Sequence, residues 1–323
     1  MSTVPPSELI VVGYASLDSV TSTPVFRGVD ATSILLRPMR ADEPAAGGIA
    51  HLVSAAASAS NEVAVTALSW VGADAGGELW RAALRRSGAS DDGVVVVGDR
   101  SPSATMLEIG TGGTLCFFDP GTCHPERLDD RQVDLLGRAS AVLLTVAPTS
   151  LTRHLLDVLA DEAILIWAVK RDEDAYGDDL VDRLIARADA ISFTRGERPF
   201  LERRAPLAAA ARPGALLLET LGADGVRWAV AGTDRAGSVA VVPVDAPDTT
   251  GAGDTFIGSA AAELARRGGR DALSDLSDDD LDGLAGRATG AARDLLLSRV
   301  GEHHTEHARR VASQNEGVTH AER

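Results

Sequence analysis

Asp248-Thr249-Thr250-Gly251-Ala252-Gly253-Asp254-Thr255-Phe256 is the stretch that decides how this chain is read. Small and turn-forming residues precede a carboxylate. An apolar run comes next, in which Phe256, Ile257, Ala260, Ala261 and Leu264 fall on one face of a helix. Glycine lets backbone N–H groups approach an anion closely, and a helix start adds partial positive charge at the same place. Asp254 stands at the mouth of that anion site, where a carboxylate is electrostatically uncomfortable unless it has a proton to take. An anion cradle beside a base suits transfer of a phosphoryl group to a hydroxyl. A plain glycine-rich helix cap would read the same over a few residues, so the rest of the chain has to agree.

The composition fits that chemistry and excludes others. The chain has 323 residues, 45% of them hydrophobic and 24% charged, as in a globular protein. A net charge of −16 argues against nucleic acid or an anionic membrane as partner. Part of that charge is local, in the acidic run from Asp271 to Asp282. Cys116 and Cys123 make no disulfide framework and are expected to be free thiols in a reducing compartment. The N-terminus lacks the basic stretch of a signal peptide, and no apolar run is long enough to span a bilayer, so a cytoplasmic location is expected. No GxxxxGK[ST], GxSxG, HExxH or paired CxxC occurs. His303, His304 and His307 resemble a metal cluster but lie in a polar segment where metal binding is not expected.

Apolar runs alternate with helical patterns along most of the chain. Strands are expected at 9–12, 63–71, 142–144, 164–167, 190–193 and 216–218, with a hairpin through 227–230. Helices are expected at 51–60, 75–87, 151–161 and 178–188. This order gives an α/β fold, a mostly parallel sheet with helices on both faces, whose ligands collect at the carboxyl ends of the strands. Two segments break the order. Val20–Arg37 and Val94–Phe118 are rich in Val, Thr and Ile, and Gly110-Thr111-Gly112-Gly113 divides the second into a hairpin. They are read as a small β lid. The expected boundaries are 1–19, 47–92 and 123–300 for the body, 20–46 and 93–122 for the lid, and 301–323 for a mobile polar tail.

The pattern at 248–254 matches throughout the D-T-x-G-A-G-D signature of the ribokinase-like sugar kinases, the PfkB family, which this chain resembles over roughly residues 9 to 300. The resemblance implies a ribokinase-like fold, ATP and Mg²⁺ as cofactors, Asp254 as catalytic base and the backbone of Gly251, Ala252 and Gly253 as an anion hole. Other motifs agree with unequal quality. Asp18, in Gly13-Tyr14-Ala15-Ser16-Leu17-Asp18, looks like the family's early substrate-binding aspartate. Gly47 and Gly48 resemble the glycine pair that packs against the sugar. Gly72, Asp74 and Gly77 match a GxDxxG block read as structural. Glu197, in Thr194-Arg195-Gly196-Glu197, resembles the glutamate that organises magnesium-bound water. Thr220, Gly222 and Gly225 resemble the turn that lies along the nucleotide, and Thr289 lies in a stretch resembling the helix beside the adenine. His51, Thr194 and Thr289 each stand where the family has an asparagine, which marks a divergent member.

A sugar-like acceptor is expected, held by Asp18, Gly47, Gly48, His51 and Glu108. Two alternatives stay open: a nucleoside kinase of the same fold, and a catalytically silent ligand-binding or regulatory protein. A nucleoside would need a flat stacking surface, for which Phe117, Phe118, Tyr14 and Phe26 are the candidates. Only one of the adjacent Phe117 and Phe118 can face the substrate from a strand. Lys170 and Arg171 are candidates for an acidic or phosphorylated ligand, or plain surface cations. Pairing of two copies through the lid is a further expectation.

Overall fold

Strand β1 (Ser7–Val12) runs through the middle of the molecule, and its side chains feed two separate cores. Leu9 and Val11 join the apolar cluster on one face of the sheet, Ile10 and Val12 the cluster on the other, as the two-residue period of a strand requires. The computed structural model describes residues 7–36, 44–110, 112–246 and 249–319, with side chains described as far as residue 300. Asp248 and Thr111 fall outside the described residues.

From β1 the chain passes through β2 (Ala15–Thr23) and β3 (Ala45–Gly48) to α1 (Ala50–Ala59), β4 (Val63–Val71), α2 (Ala75–Arg86) and β5 (Ser90–Val96). Then come β6 (Ser103–Ile109), β7 (Thr114–Asp119), α3 (Asp130–Arg138), β8 (Ala141–Leu144), α4 (Thr149–Val158) and β9 (Ile164–Ala168). Helix α5 (Asp178–Arg187) leads to β10 (Ala190–Thr194), and two short helices come after it, α6 (Arg198–Leu201) and α7 (Leu207–Ala210). Strands β11 (Leu216–Thr220), β12 (Val226–Val230) and β13 (Ala236–Val239) precede α8 (Ala252–Arg267), α9 (Asp271–Ser274) and α10 (Asp278–Thr319).

Among the described residues, nine strands form the main sheet in the order β13-β12-β11-β10-β9-β8-β1-β4-β5, parallel from β11 to β5 and antiparallel at β12 and β13. The order reverses direction between β8 and β1. A crevice therefore opens at the carboxyl ends of those two strands, where open α/β sheets bind ligands. Helices α1, α8 and α10 cover one face, and α3, α4 and α5 the other. Gly258 lets α8 lie close on α1, since a Cβ there would come within 2.7 Å of the Leu52 carbonyl oxygen.

A second sheet, β3-β2-β6-β7, stands beside the crevice. Its membership corrects the expected boundaries. It begins at Ala15, so Asp18 lies on it, and it includes Gly47 and Gly48, which the expected boundaries place in the body. Val94–Val96 instead belong to β5, the edge of the main sheet, paired to β4. An apolar run announces a strand but not the sheet it joins, because partner choice is made by distant residues. The segment expected as a tail continues α10 to Thr319. No Gly or Pro interrupts 302–316, and a helix can propagate on helix-forming residues without an apolar stripe. His303, His304 and His307 lie beyond the described side chains.

Asp189, immediately before β10, is fully buried and binds several elements together. It accepts from the Leu165 N–H at 2.9 Å and pairs with Arg187 at 3.0 Å, Arg212 at 2.5 Å and Arg270 at 2.9 Å. Removing one partner of a buried ionic cluster strands the others without compensation. Asp189→Ala should therefore lower the unfolding free energy by about 3–5 kcal/mol, read from urea denaturation. A loss below about 1 kcal/mol would show that the cluster is not a structural anchor.

Candidate active site

Helix α8 starts where the chain makes a left-handed step. Gly251 has φ +77°, a backbone state that favours glycine, and as the N-cap residue it has no side chain with which to cap the helix. Its first-turn N–H groups are thus left to other partners. The Ala252 N–H makes a long bond of 3.2 Å to the Thr249 carbonyl, while a Cβ on Gly253 would meet open space. Asp254 sits in this first turn with its side chain 17% exposed. Lys170, two residues beyond the end of β9, donates from Nζ to Asp254 Oδ1 at 3.1 Å. The Asp254 charge, helped by that bond and by Glu197, holds the Lys170 ammonium above its usual range against the opposing effect of burial. The arrangement can bind an anion and accept a proton within one helical turn.

On the lid side, Asp18 lies half-buried on β2. The Ser16 hydroxyl donates to its Oδ1 at 2.5 Å. Burial pushes its carboxyl above the usual carboxylate range, and the Asp254 charge adds to this, while Ser16 and His51 oppose it. Gly47 is packed on this carboxylate, since a Cβ there would lie 1.9 Å from Asp18 Oδ2. The Trp80 indole donates to the Gly47 carbonyl at 3.0 Å and fixes that approach. Gly48, at φ +57°, has no room for a Cβ beside the Tyr14 carbonyl. His51 stands next to Gly251, with its ring Cγ 3.7 Å from where a Cβ would be. The structure therefore brings Asp18, Gly47, Gly48, His51, Gly251 and Asp254 together.

Register settles which phenylalanine shares the face of Asp18. Asp18 pairs with Ala104, which pairs with Phe118, so these three side chains lie in one row and Phe117 points to the opposite face. Phe118 meets the Tyr14 ring edge-on at 5.0 Å, and Tyr14 meets His124 at 5.0 Å. Burial drives the Tyr14 phenol up to about 12 and His124 down to about 4. Glu108 is on the same face but four residues farther along, about 13 Å away from the Asp18 row. It is thus not brought to the cluster.

On the other side of Asp254, a groove of about 550 Å³ is lined by Thr194, Thr220, Gly222, Gly225, Ala252, Gly253 and Thr289. Gly222 and Gly225 have φ +63° and +92°, and a Cβ on Gly225 would lie 2.1 Å from the Val239 carbonyl. Glu197 Oε2 accepts from the Thr194 N–H at 2.8 Å and hydroxyl at 2.9 Å. The Thr289 hydroxyl is turned onto its own helix, at 2.7 Å from the Ala285 carbonyl. Sequence reading missed one wall of this groove, Val241-Val242-Pro243-Val244, of which Val242 is 66% exposed. That apolar run after a hairpin was the available signal. It also missed Arg293 and Leu296 on α10. A second groove of about 620 Å³ opens between α1, α8 and α10 and is walled by small residues and by Arg266 and Arg287 paired to Glu263. Among the described residues no group of three His, Cys, Asp or Glu could hold a metal ion, and no helix is long and apolar enough to cross a membrane.

Comparison with solved structures gives the same overall fold. The chain is 21% identical to an Arabidopsis thaliana ribokinase solved with ribose and ATP, covering 90% of this chain and 92% of that one with a TM-score of 0.69. A fructokinase from Xylella fastidiosa with bound ATP is 18% identical, covering 88% and 90% with a TM-score of 0.68. A nucleoside kinase from Methanocaldococcus jannaschii, of the ribokinase family, is 13% identical, covering 88% and 90% with a TM-score of 0.68. Comparison with curated protein sequences gives no match. The model of the pfkB family carbohydrate kinases matches residues 35–284, most of the chain and the whole of α8. By that match, which takes in the left-handed glycine turn before Asp254, this chain belongs to the pfkB family of carbohydrate kinases.

Proposed function

We propose that the protein moves the γ-phosphoryl group of ATP to an alcohol of a sugar or sugar-like substrate, with Asp254 as base. The observation that carries this is the position of Asp254 at the junction between the Asp18–His51 cluster and the glycine-lined groove. ATP lies along Gly222, Gly225 and Thr220, with the adenine toward Val242 and Thr289. The acceptor lies against Asp18, Gly47 and His51. Its hydroxyl gives a proton to Asp254 as the oxygen bonds to the γ-phosphorus. The bond from that phosphorus to the β–γ bridging oxygen breaks, and its electron pair leaves on ADP. The Gly251, Ala252 and Gly253 amides hold the developing charge, with Ala252 exchanging its long bond to Thr249 for one to the phosphoryl oxygen. Glu197 is the residue that would hold magnesium, through water. Its Oε2 is engaged by Thr194, so Oε1 would be the oxygen to hold the water of a hydrated cation. A magnesium ion held there would neutralise phosphate charge. The lid sheet closes over the acceptor and excludes water.

One observation favours a second reading. Phe118, exposed on the face of Asp18 and braced edge-on by Tyr14, gives the acceptor side one aromatic ring on which a nucleoside base could stack. An ADP-release assay over a panel of sugars and nucleosides separates the readings. Turnover with a sugar supports the first, turnover only with a nucleoside the second, and no turnover with any acceptor would favour a silent binding protein.

Two variants test the residue roles. Asp254→Asn should lower kcat by about 10²–10⁴-fold while ATP affinity changes little; near-normal turnover would remove the base assignment. Gly47→Ala should drive the Asp18 carboxylate from its place, because the new methyl would overlap it. The acceptor KM should rise by about 10- to 100-fold, as for loss of a charged hydrogen-bond acceptor, with the ATP KM unchanged. A change confined to the ATP KM would place the acceptor elsewhere.

A further inference from the structure

Lys170 has a setting that the proposed reaction does not use. The Val169 N–H bonds to the Ser192 carbonyl at 2.9 Å and ties the start of this loop to β10. From there the Lys170 side chain reaches Asp254 while half of its surface stays exposed. The neighbouring cations on these loops are directed elsewhere. Arg171 pairs with Glu173 at 2.9 Å, and Arg195 with Asp224 at 3.3 Å. Thr194 places both of its donors on Glu197. Among the described residues, the carboxyl-end wall formed by β9 and β10 therefore presents one cation aimed at the base.

The ammonium has three N–H donors and directs one at Asp254 Oδ1. That leaves donors for another anion, and it leaves Oδ2 of Asp254 to receive the acceptor hydroxyl. It also feels the Glu197 carboxylate, on the groove side of the base. The group that passes between the groove and Asp254 in the proposed reaction is the transferred phosphoryl.

We infer that Lys170 is a catalytic residue that binds the γ-phosphoryl oxygens of the nucleotide and follows them through transfer; this rests on the kinase reading. It keeps its three protons throughout. The acceptor proton goes to Asp254 and the leaving electron pair to ADP, so the role of Lys170 is to offset the charge on the equatorial oxygens. A phosphate carried by the acceptor is a weaker occupant. Lys170 contacts the base itself, whereas a substituent on the acceptor would sit away from the reacting hydroxyl, toward the Asp18–Phe118 row.

The test uses binding and needs no acceptor. Titration calorimetry of Mg²⁺-ADP and of the non-hydrolysable analogue Mg²⁺-AMP-PNP is run on the wild type, Lys170→Met and Lys170→Arg. The AMP-PNP to ADP affinity ratio isolates the γ-phosphoryl contribution. That ratio should fall by about 10- to 100-fold in Lys170→Met, the range for a charge-assisted hydrogen bond, with ADP affinity kept within about twofold. Lys170→Arg should retain most of it. An unchanged ratio in Lys170→Met would overturn the inference and leave the kinase reading standing. An equal loss for both nucleotides would overturn it as well, since the effect would not belong to the γ-phosphoryl group. If the wild type bound neither nucleotide, the kinase reading itself would fall, and this inference with it.

Discussion

The left-handed turn at Gly251 is the constraint on which the site depends. A Cβ at φ +77° would be strained, so glycine lets the chain swing from β13 and its apolar extension into α8 without a capping side chain. The consequence is a helix start whose N-cap residue supplies no capping side chain, with an aligned dipole at the carboxyl-end crevice where the sheet order reverses. The packing of α8 along its length fixes that direction. Gly258 admits close contact with α1, and Phe256, Ile257, Ala260, Ala261, Leu264 and Ala265 are buried between the sheet, α1 and α10. A shift in this packing would move Asp254 relative to everything that it is meant to meet.

Electrostatics sharpen the same point. Asp18, Asp254 and Glu197 gather around one crevice in a chain of net charge −16, and an anionic nucleotide is expected to approach them. Repulsion among these groups has to be met locally. The α8 N–H groups and Lys170 are among the means available, and the cation proposed at Glu197 would add to them. The Asp18 carboxyl is raised first by burial and only secondarily by the Asp254 charge, whereas the Lys170 ammonium is raised first by Asp254.

The small sheet is joined to the body by a few specific contacts. Asp74 caps α2 through the Gly77 N–H at 2.7 Å and accepts from the Ser101 N–H at 2.8 Å and hydroxyl at 2.7 Å. Gly72 completes the joint, with no room for a Cβ against the backbone of Arg100. The GxDxxG block thus clamps the loop that leads into β6. Trp80 on α2 holds β3 by the Gly47 carbonyl, and Tyr14 meets Phe118 across the gap. These contacts tie the small sheet, and Asp18 with it, to the body.

The sequence by itself determined the elements and the chemistry that is local. The strands at 63–71, 164–168 and 190–194 and the helices at 75–86 and 178–187 come from periodicity. The glycine turn and Asp254 come from seven adjacent residues, because an anion site at a helix start is made by backbone that is close in sequence. Tertiary structure decided what depends on pairing between distant segments. Val94–Val96 and Asp18 exchanged their expected sheets, since a strand's pattern names a face but not a neighbour. Phe118 rather than Phe117 shares the face of Asp18, and Glu108 falls far from it, because register sets both. Lys170 reads as an ordinary surface cation in the sequence. Only the crossing of β9 past the start of α8, 84 positions later, puts its ammonium on the base.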